Sequence, residues 1–239
     1  VLASSSYGQG KAPLPIPASL QGSLIYYNGF GAAGGKAAIN KIAAKEYFQI
    51  PHLTKKGILG KGYLTSSGWG RGHGVVLDSK DISPARALSI SLWWALKKDF
   101  KPGKNLGMFQ LSGKGKRYIS AFIEGGGKER WNSLKKAGGF LQVYHFPGIK
   151  NINGIYNRDI MKLLDLKAGV WHNTTVTFSA GQDIILYQDG NKVAEYNLAG
   201  RPLLKKDEIN RISFGQGNYS LFLDEISIYN RVLQPQEIK

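Results

Sequence analysis

Few residues in this chain have the types and spacing that a catalytic centre needs. None of its 239 residues is cysteine, which rules out a disulfide framework and thiol catalysis. Glycan chemistry by paired carboxylates needs two acids facing each other about 5 Å apart. Neither adjacent acid pair provides that, because Asp224-Glu225 alternates across the two faces of a strand and Asp207-Glu208 sits in a loop. His52, His73 and His172 have no spacing that gathers ring nitrogens on one metal, and His145 reads as an ordinary strand residue. What the chain does offer is cations beside aromatic rings. Lys97, Lys98, Lys101, Lys104, Lys114, Lys116, Arg117, Lys128, Arg130, Lys135 and Lys136 fall in loops around Trp131, and Trp69 lies in a glycine-rich loop of its own. Lysine and arginine supply charge to sulfate, carboxylate or phosphate, while an exposed indole offers an apolar face to a sugar ring or a base. The alternative for Trp131 is a satellite core beneath its own loop.

The distribution of charge points the same way. Residues 1–150 hold 22 Lys/Arg against 6 Asp/Glu, whereas 151–239 hold 10 of each, so the whole net charge of +16 arises in the first part. Such asymmetry suits a polyanionic neighbour: an acidic polysaccharide, teichoic or nucleic acid, or an anionic membrane surface. A lysine-rich surface that only keeps the protein soluble is the alternative. No nucleic-acid motif accompanies the charge, which leaves nucleic acid as a partner resting on charge alone. No apolar run approaches the length of a membrane helix and no signal-peptide core is present, and a start at Val1 suggests a processed or trimmed chain.

The elements that must position these residues read as strands. From Trp171, Val176 and Phe178 fall on one face, with Asn173, Thr175 and Thr177 on the other, the two-residue period of a half-buried strand. Ser179-Ala180-Gly181 breaks it, Ile184–Tyr187 follows, and Asp189-Gly190 supplies the residue types of a tight hairpin before Val193–Leu198 returns. Ala87–Leu96 is the most apolar strand and is expected to be central, with Trp93 and Trp94 on opposite faces. Leu24–Phe30 reads as the first strand, and Leu106–Leu111, Tyr118–Ile123 and Phe140–Phe146 as others. Lys36–Glu46 passes for a short helix by propensity. Val1–Gly22, with Pro13, Pro15 and Pro17, reads as an extended arm or linker that lies along its own domain or a neighbour's, and 23–239 as one domain. Gly68–Gly74 is not a nucleotide loop, because it runs into another strand signal rather than a helix. About a dozen short strands with almost no helix predict an all-β, antiparallel two-sheet jelly-roll sandwich.

Three patches in order carry a resemblance. The meander Gly169–Leu198, the strand Ser89–Trp94 after Gly74–Leu77, and the end of the chain from Ile212–Gly215 through Leu223–Leu233 to Glu237-Ile238 resemble the laminin-G-like domains of the concanavalin A-like lectin/glucanase superfamily. That resemblance implies a concanavalin A-like fold and leaves activity open. Hydrolases of the superfamily carry a Glu-x-Asp-x-x-Glu strand that is absent here, and the lyase pattern is only shadowed by Gln142-Val143-Tyr144-His145. It also implies one structural calcium, held by Asp224 with oxygens around Asn28 and Gly29. In Leu221–Asn230 the alternation places Phe222, Asp224, Ile226 and Ile228 on one face, so Asp224 needs a partner, either that cation or hydrogen bonds from backbone N–H groups or a basic side chain. Asn173-Thr174-Thr175 and Asn218-Tyr219-Ser220 match the glycosylation sequon but carry no weight.

The expectation is a non-catalytic recognition module, secreted or at the cell surface, that binds carbohydrate and favours an acidic glycan. The first alternative is a structural subunit that self-assembles through the Val1–Gly22 arm or joins a neighbouring domain of a larger surface protein. The second is a divergent polysaccharide hydrolase or lyase.

Overall fold

The computed structural model describes residues 16–48, 52–68, 73–82, 87–101, 105–113, 116–124, 138–143, 153–157, 164–179, 183–197 and 209–238. Among them the chain forms sixteen strands. The first are β1 (Leu24–Asn28), β2 (Ile39–Asn40), β3 (Lys45–Tyr47), β4 (Leu53–Gly57), β5 (Gly60–Leu64) and β6 (Val75–Asp78). Next come β7 (Leu88–Leu96), β8 (Asn105–Gly113), β9 (Lys116–Glu124), β10 (Gly138–Val143) and β11 (Asn153–Asn157). The last are β12 (Trp171–Ser179), β13 (Asp183–Gln188), β14 (Asn191–Asn197), β15 (Arg211–Phe214) and β16 (Leu221–Tyr229). They build two antiparallel sheets in a jelly-roll sandwich. The first runs β14-β13-β12-β7-β16-β1-β2, with β5 also paired to β16 and β4 to β5; the second runs β11-β10-β9-β8-β15-β6-β3.

The main core lies between the sheets. Ile90, Leu92, Trp94 and Leu96 of β7 and Val176 and Phe178 of β12 meet Leu106, Met108, Leu111, Ile119 and Phe214 of the facing sheet. As the alternation predicts, Trp94 is fully buried there, while Trp93 points to the other side and is half-buried. The meander forms as read. Asp189 and Gly190 both take positive φ, 48° and 78°, the backbone of a tight two-residue hairpin turn.

The half-buried character expected of β12 is corrected, because Asn173, Thr175 and Thr177 are all buried on the outer face. Asn173 and Thr175 share Ser91 Oγ, at 3.0 and 2.8 Å. Next to them Ser89 Oγ donates to the Arg231 carbonyl and accepts the Leu233 N–H, which ties the C-terminal segment to this face. A second apolar cluster covers that side: Ile16, Leu20, Leu24 and Tyr27 with Tyr187, Tyr229, Leu233 and Ile238. The described end of the arm, including α1 (Ala18–Gln21), therefore packs on its own domain.

The helix expected at Lys36–Glu46 is also corrected. β2 and β3 occupy its ends, and between them Asn40 brackets a turn, donating to the Ala44 carbonyl at 2.9 Å and accepting the Ala44 N–H at 2.8 Å. Ile42 enters the main core and Ile39 packs against the outer cluster, so the two isoleucines serve opposite layers rather than one helical face.

A bulge in β16 changes the faces read at the end of the chain. Glu225 has φ 51°, and the register with β7 slips between Asp224 and Ser227. Leu221 and Leu223 before it and Ile226 and Ile228 after it all reach the main core, so Asp224 stays with Phe222 on the outer side. At the same point β16 changes its edge partner: Phe222 and Leu223 pair with β5, and Ile226–Tyr229 pair with β1.

Candidate functional site

Leu96 of β7 pairs with Leu221 of β16, and Trp171 of β12 pairs with the adjacent Ala95, so these strands end together at one end of the sandwich. The turn that leaves Leu96 carries Lys97, Lys98 and Lys101, all exposed, and among the described residues none of the three forms an ion pair. The turn itself is held on two sides. On one, the Phe100 N–H donates to the Leu166 carbonyl at 3.0 Å, and Asp99 Oδ1 accepts the Ala168 N–H at 2.8 Å. On the other, the Phe100 and Tyr219 rings stack with centroids 5.1 Å apart and planes 24° apart. The Tyr219 hydroxyl accepts the Lys101 N–H and donates to the Lys101 carbonyl at 3.1 Å. The site thus presents three ammonium groups beside a clamped aromatic pair. Lys167, paired with Asp165 at 3.8 Å, adds a further cation on the neighbouring segment.

Of the other cations, Lys116 and Arg117 lie apart from this turn. β8 and β9 pair from Asn105↔Glu124 at one end to Gly113↔Lys116 at the other, roughly 26 Å along the strand at about 3.3 Å per residue. Lys116 and Arg117 therefore start β9 at the far end from the Lys97–Lys101 turn. Glu124 and Gly138, which bound the segment carrying Lys128 to Lys136, pair with each other at the near end. Trp69, Lys104, Lys114, Lys128, Arg130, Trp131, Lys135 and Lys136 lie outside the described residues, as do Tyr144, His145, Asp207 and Glu208. Sequence reasoning missed Phe100 and Tyr219 as site residues. Their signal was present: Phe100 is the one aromatic residue inside the run Lys97–Lys104, and Tyr219 sits within a triplet set aside as a sequon. The other sequon residue, Asn173, is 2% exposed and donates to Ser91 Oγ and the Leu92 carbonyl, so it is closed to modification in the fold.

Beside this end lies a buried polar network. Trp94 Nε1 donates to Thr174 Oγ1 at 2.8 Å, and Thr174 donates in turn to Gln188 Oε1 at 2.7 Å. The His172 ring lies against Trp94, with centroids 4.9 Å apart. Its Nδ1 is 2.8 Å from Asp189 Oδ2 and its Nε2 is 3.0 Å from the Asp165 carbonyl. The other Asp189 oxygen accepts the Asn173 N–H at 2.7 Å.

Asp224 is satisfied by backbone. Its Oδ2 accepts the N–H groups of Ile58 and Leu59 at 2.9 and 3.4 Å, and its Oδ1 accepts the Glu225 N–H at 2.9 Å. Burial, then the neighbouring Glu225 carboxylate, raise its pKa to about 8 against those three donors. Glu225 Oε2 accepts the Tyr27 hydroxyl at 2.7 Å, and burial raises the Glu225 pKa as well. Asn28 is committed elsewhere: its Oδ1 accepts the Phe30 N–H at 2.8 Å and its Nδ2 donates to the Gly35 carbonyl at 2.9 Å. Gly29 abuts Tyr27 and Glu225 rather than Asp224. Asp224, Asn28 and Gly29 as arranged do not fit a calcium ion, since the carboxylate and amide oxygens already receive N–H donors. Among the described residues no three His, Cys, Asp or Glu side chains gather as a metal site. No described helix is long and apolar enough to cross a membrane.

Solved structures share this architecture. The binding domain of Paraclostridial Mosquitocidal Protein 1 superposes with a TM-score of 0.65 at 15% identity, covering 92% of this chain and 51% of that one. The botulinum neurotoxin serotype D binding domain gives 0.64 at 14%, covering 92% and 50%. The binding domain of botulinum neurotoxin DC in complex with SialylT gives 0.62 at 12%, covering 90% and 50%. This chain spans about half the length of these structures, and the likeness concerns the fold. No match to the curated proteins is found. A family model of the concanavalin A-like lectin/glucanases superfamily, laminin-G type, matches residues 70–239, and the chain belongs to that family.

Proposed function

We propose that this chain is a non-catalytic carbohydrate-binding module, secreted or displayed at the cell surface, with an acidic glycan as its ligand. The observation that carries the reading is the Lys97–Lys101 turn, where three exposed lysines share a turn with Phe100, whose half-buried ring stacks on Tyr219. Carboxylate or sulfate groups on a sugar meet the lysines, and the apolar face of the ring meets the aromatic pair. Two of the structurally similar proteins are consistent with this class of ligand: the botulinum neurotoxin serotype D domain was solved with N-acetylneuraminic acid and the DC domain with SialylT. A binding rather than catalytic role draws support from the carboxylates, since Asp224 and Glu225 are engaged with backbone N–H groups and Tyr27 rather than paired across a cleft. Assembly through the arm gains nothing from Ile16 and Leu20, which pack on the chain's own sheet.

The test is a panel of immobilised neutral and acidic glycans, run at low and at physiological salt, with the chain and its Lys97→Glu/Lys98→Glu/Lys101→Glu variant. Saturable binding to one acidic glycan that survives physiological salt and is lost in the variant is the expected result. Binding to no glycan, or diffuse binding to every polyanion that disappears with salt, counts against the proposal.

A further inference from the structure

The hairpin of β4 and β5 turns through Ile58 and Leu59, and Leu59 is 54% exposed, the one exposed large hydrophobic side chain among the described residues. Single exposed apolar residues are common on proteins, so exposure alone decides nothing. Three features distinguish this one. It occupies a turn, where Gly, Asn, Asp, Ser and Pro are the residues with a local reason to be present and isoleucine and leucine have none. Gly57 and Gly60 pair directly on either side of it and supply the backbone the turn needs: a Cβ on Gly57 would lie 2.3 Å from the Lys61 carbonyl, and Gly60 takes φ 121°. The tip is also anchored, because the buried Asp224 carboxylate reaches out of β16 to take the N–H groups of both Ile58 and Leu59. A fully buried acid thus holds a solvent-facing apolar tip in place.

Lysines flank that tip on both strands. Lys56 and Lys61 are exposed and, among the described residues, form no ion pair, and Lys55 precedes them in β4. Lys56 Nζ lies over the Phe222 ring, 5.9 Å from its centroid. From this geometry we infer that the Ile58-Leu59 tip is a contact site for an anionic lipid bilayer, with Leu59 entering the headgroup–acyl boundary while Lys56 and Lys61 meet lipid phosphates. A bilayer fits better than a protein groove. A stable protein interface needs roughly 800 Å² per partner, far more than a single leucine tip offers, whereas a bilayer accepts an apolar tip without a matched cavity and holds it through basic neighbours. The site is independent of glycan recognition at the Lys97–Lys101 turn, so each stands or falls alone.

The chain lacks cysteine, which makes Leu59→Cys a unique labelling position. With a polarity-sensitive fluorophore there, glycan-free vesicles of phosphatidylcholine and phosphatidylserine are expected to shift the emission to the blue, and pure phosphatidylcholine vesicles are not. In co-sedimentation with the unlabelled chain, Leu59→Ser is expected to weaken binding to the mixed vesicles about fivefold to tenfold, and Lys56→Gln/Lys61→Gln by at least about tenfold, with melting temperatures unchanged. The inference is overturned if the label does not shift, or if Leu59→Ser binds as well as the parent. It is equally overturned if the parent dimerises in ultracentrifugation without vesicles and Leu59→Ser abolishes the dimer, which would seat a second copy on the tip.

Discussion

His172 Nδ1 lies 2.8 Å from Asp189 Oδ2 while its Nε2 lies 3.0 Å from the Asp165 carbonyl, so both ring nitrogens face acceptors. Only the imidazolium donates to both. Burial lowers the His172 pKa, but the Asp189 and Asp165 hydrogen bonds and the two aspartate charges outweigh it and leave it raised. A histidine whose folded pKa is raised contributes stability that is fully present below its unfolded value, about 6.5, and is lost as pH rises through the folded value. Urea denaturation of the chain is expected to show a drop in stability over that window, and His172→Gln is expected to remove it. An unchanged pH profile in the variant would contradict the imidazolium reading.

Asp224 acts in the same direction over a different window. Its folded pKa of about 8 stands above the unfolded 3.8, so the native state holds the extra proton and the stability contribution falls as pH rises from about 4 to about 8. Asp224→Asn is expected to flatten that part of the profile. Asp224→Ala orphans the N–H groups of Ile58, Leu59 and Glu225 and is expected to cost about 3 kcal/mol in urea denaturation. Calcium added after chelation is expected to leave the melting temperature unchanged, and a rise of several degrees would show that Asp224 turns to a cation.

Tyr219→Phe keeps the stack on Phe100 and removes both hydrogen bonds to the Lys101 backbone. It is expected to cost about 1 kcal/mol of stability and to weaken acidic-glycan binding severalfold, because the lysines are then presented on a looser turn. Titration of the variant against the best glycan of the panel checks this; undiminished affinity would place recognition elsewhere.

Deletion of residues 1–22 removes Ile16 and Leu20 from the outer cluster with Tyr27, Tyr187 and Tyr229. The shortened chain is expected to be less stable by on the order of 3 kcal/mol, the burial of two aliphatic side chains, while size-exclusion shows no change in assembly. A stable truncation that alters oligomeric state would favour the arm as an assembly element.

Much of this was legible in the amino-acid sequence because it is local. The two-residue period separated Trp93 from Trp94, Asp189-Gly190 marked its own turn through the φ it must adopt, and the spacing of apolar runs was enough for two antiparallel sheets, while the residue motifs of Gly169–Leu198, Ser89–Trp94 and Ile212–Ile238 carried the laminin-G resemblance. Alternation failed where the backbone departs from it. Glu225 is not a glycine, so nothing in its residue type announces a positive φ, yet the bulge there moves Asp224 away from Ile226 and Ile228 and under the β4–β5 hairpin. Tertiary structure alone decided three further matters: that Lys116 and Arg117 start β9 at the far end from Lys97, that Tyr219 stacks on Phe100, and that Asp224 holds Leu59. Each of the two contacts joins residues more than a hundred positions apart, and the placement of β9 follows from ladder register. Such relationships arise from strand order and pairing, which a period read along one strand does not contain.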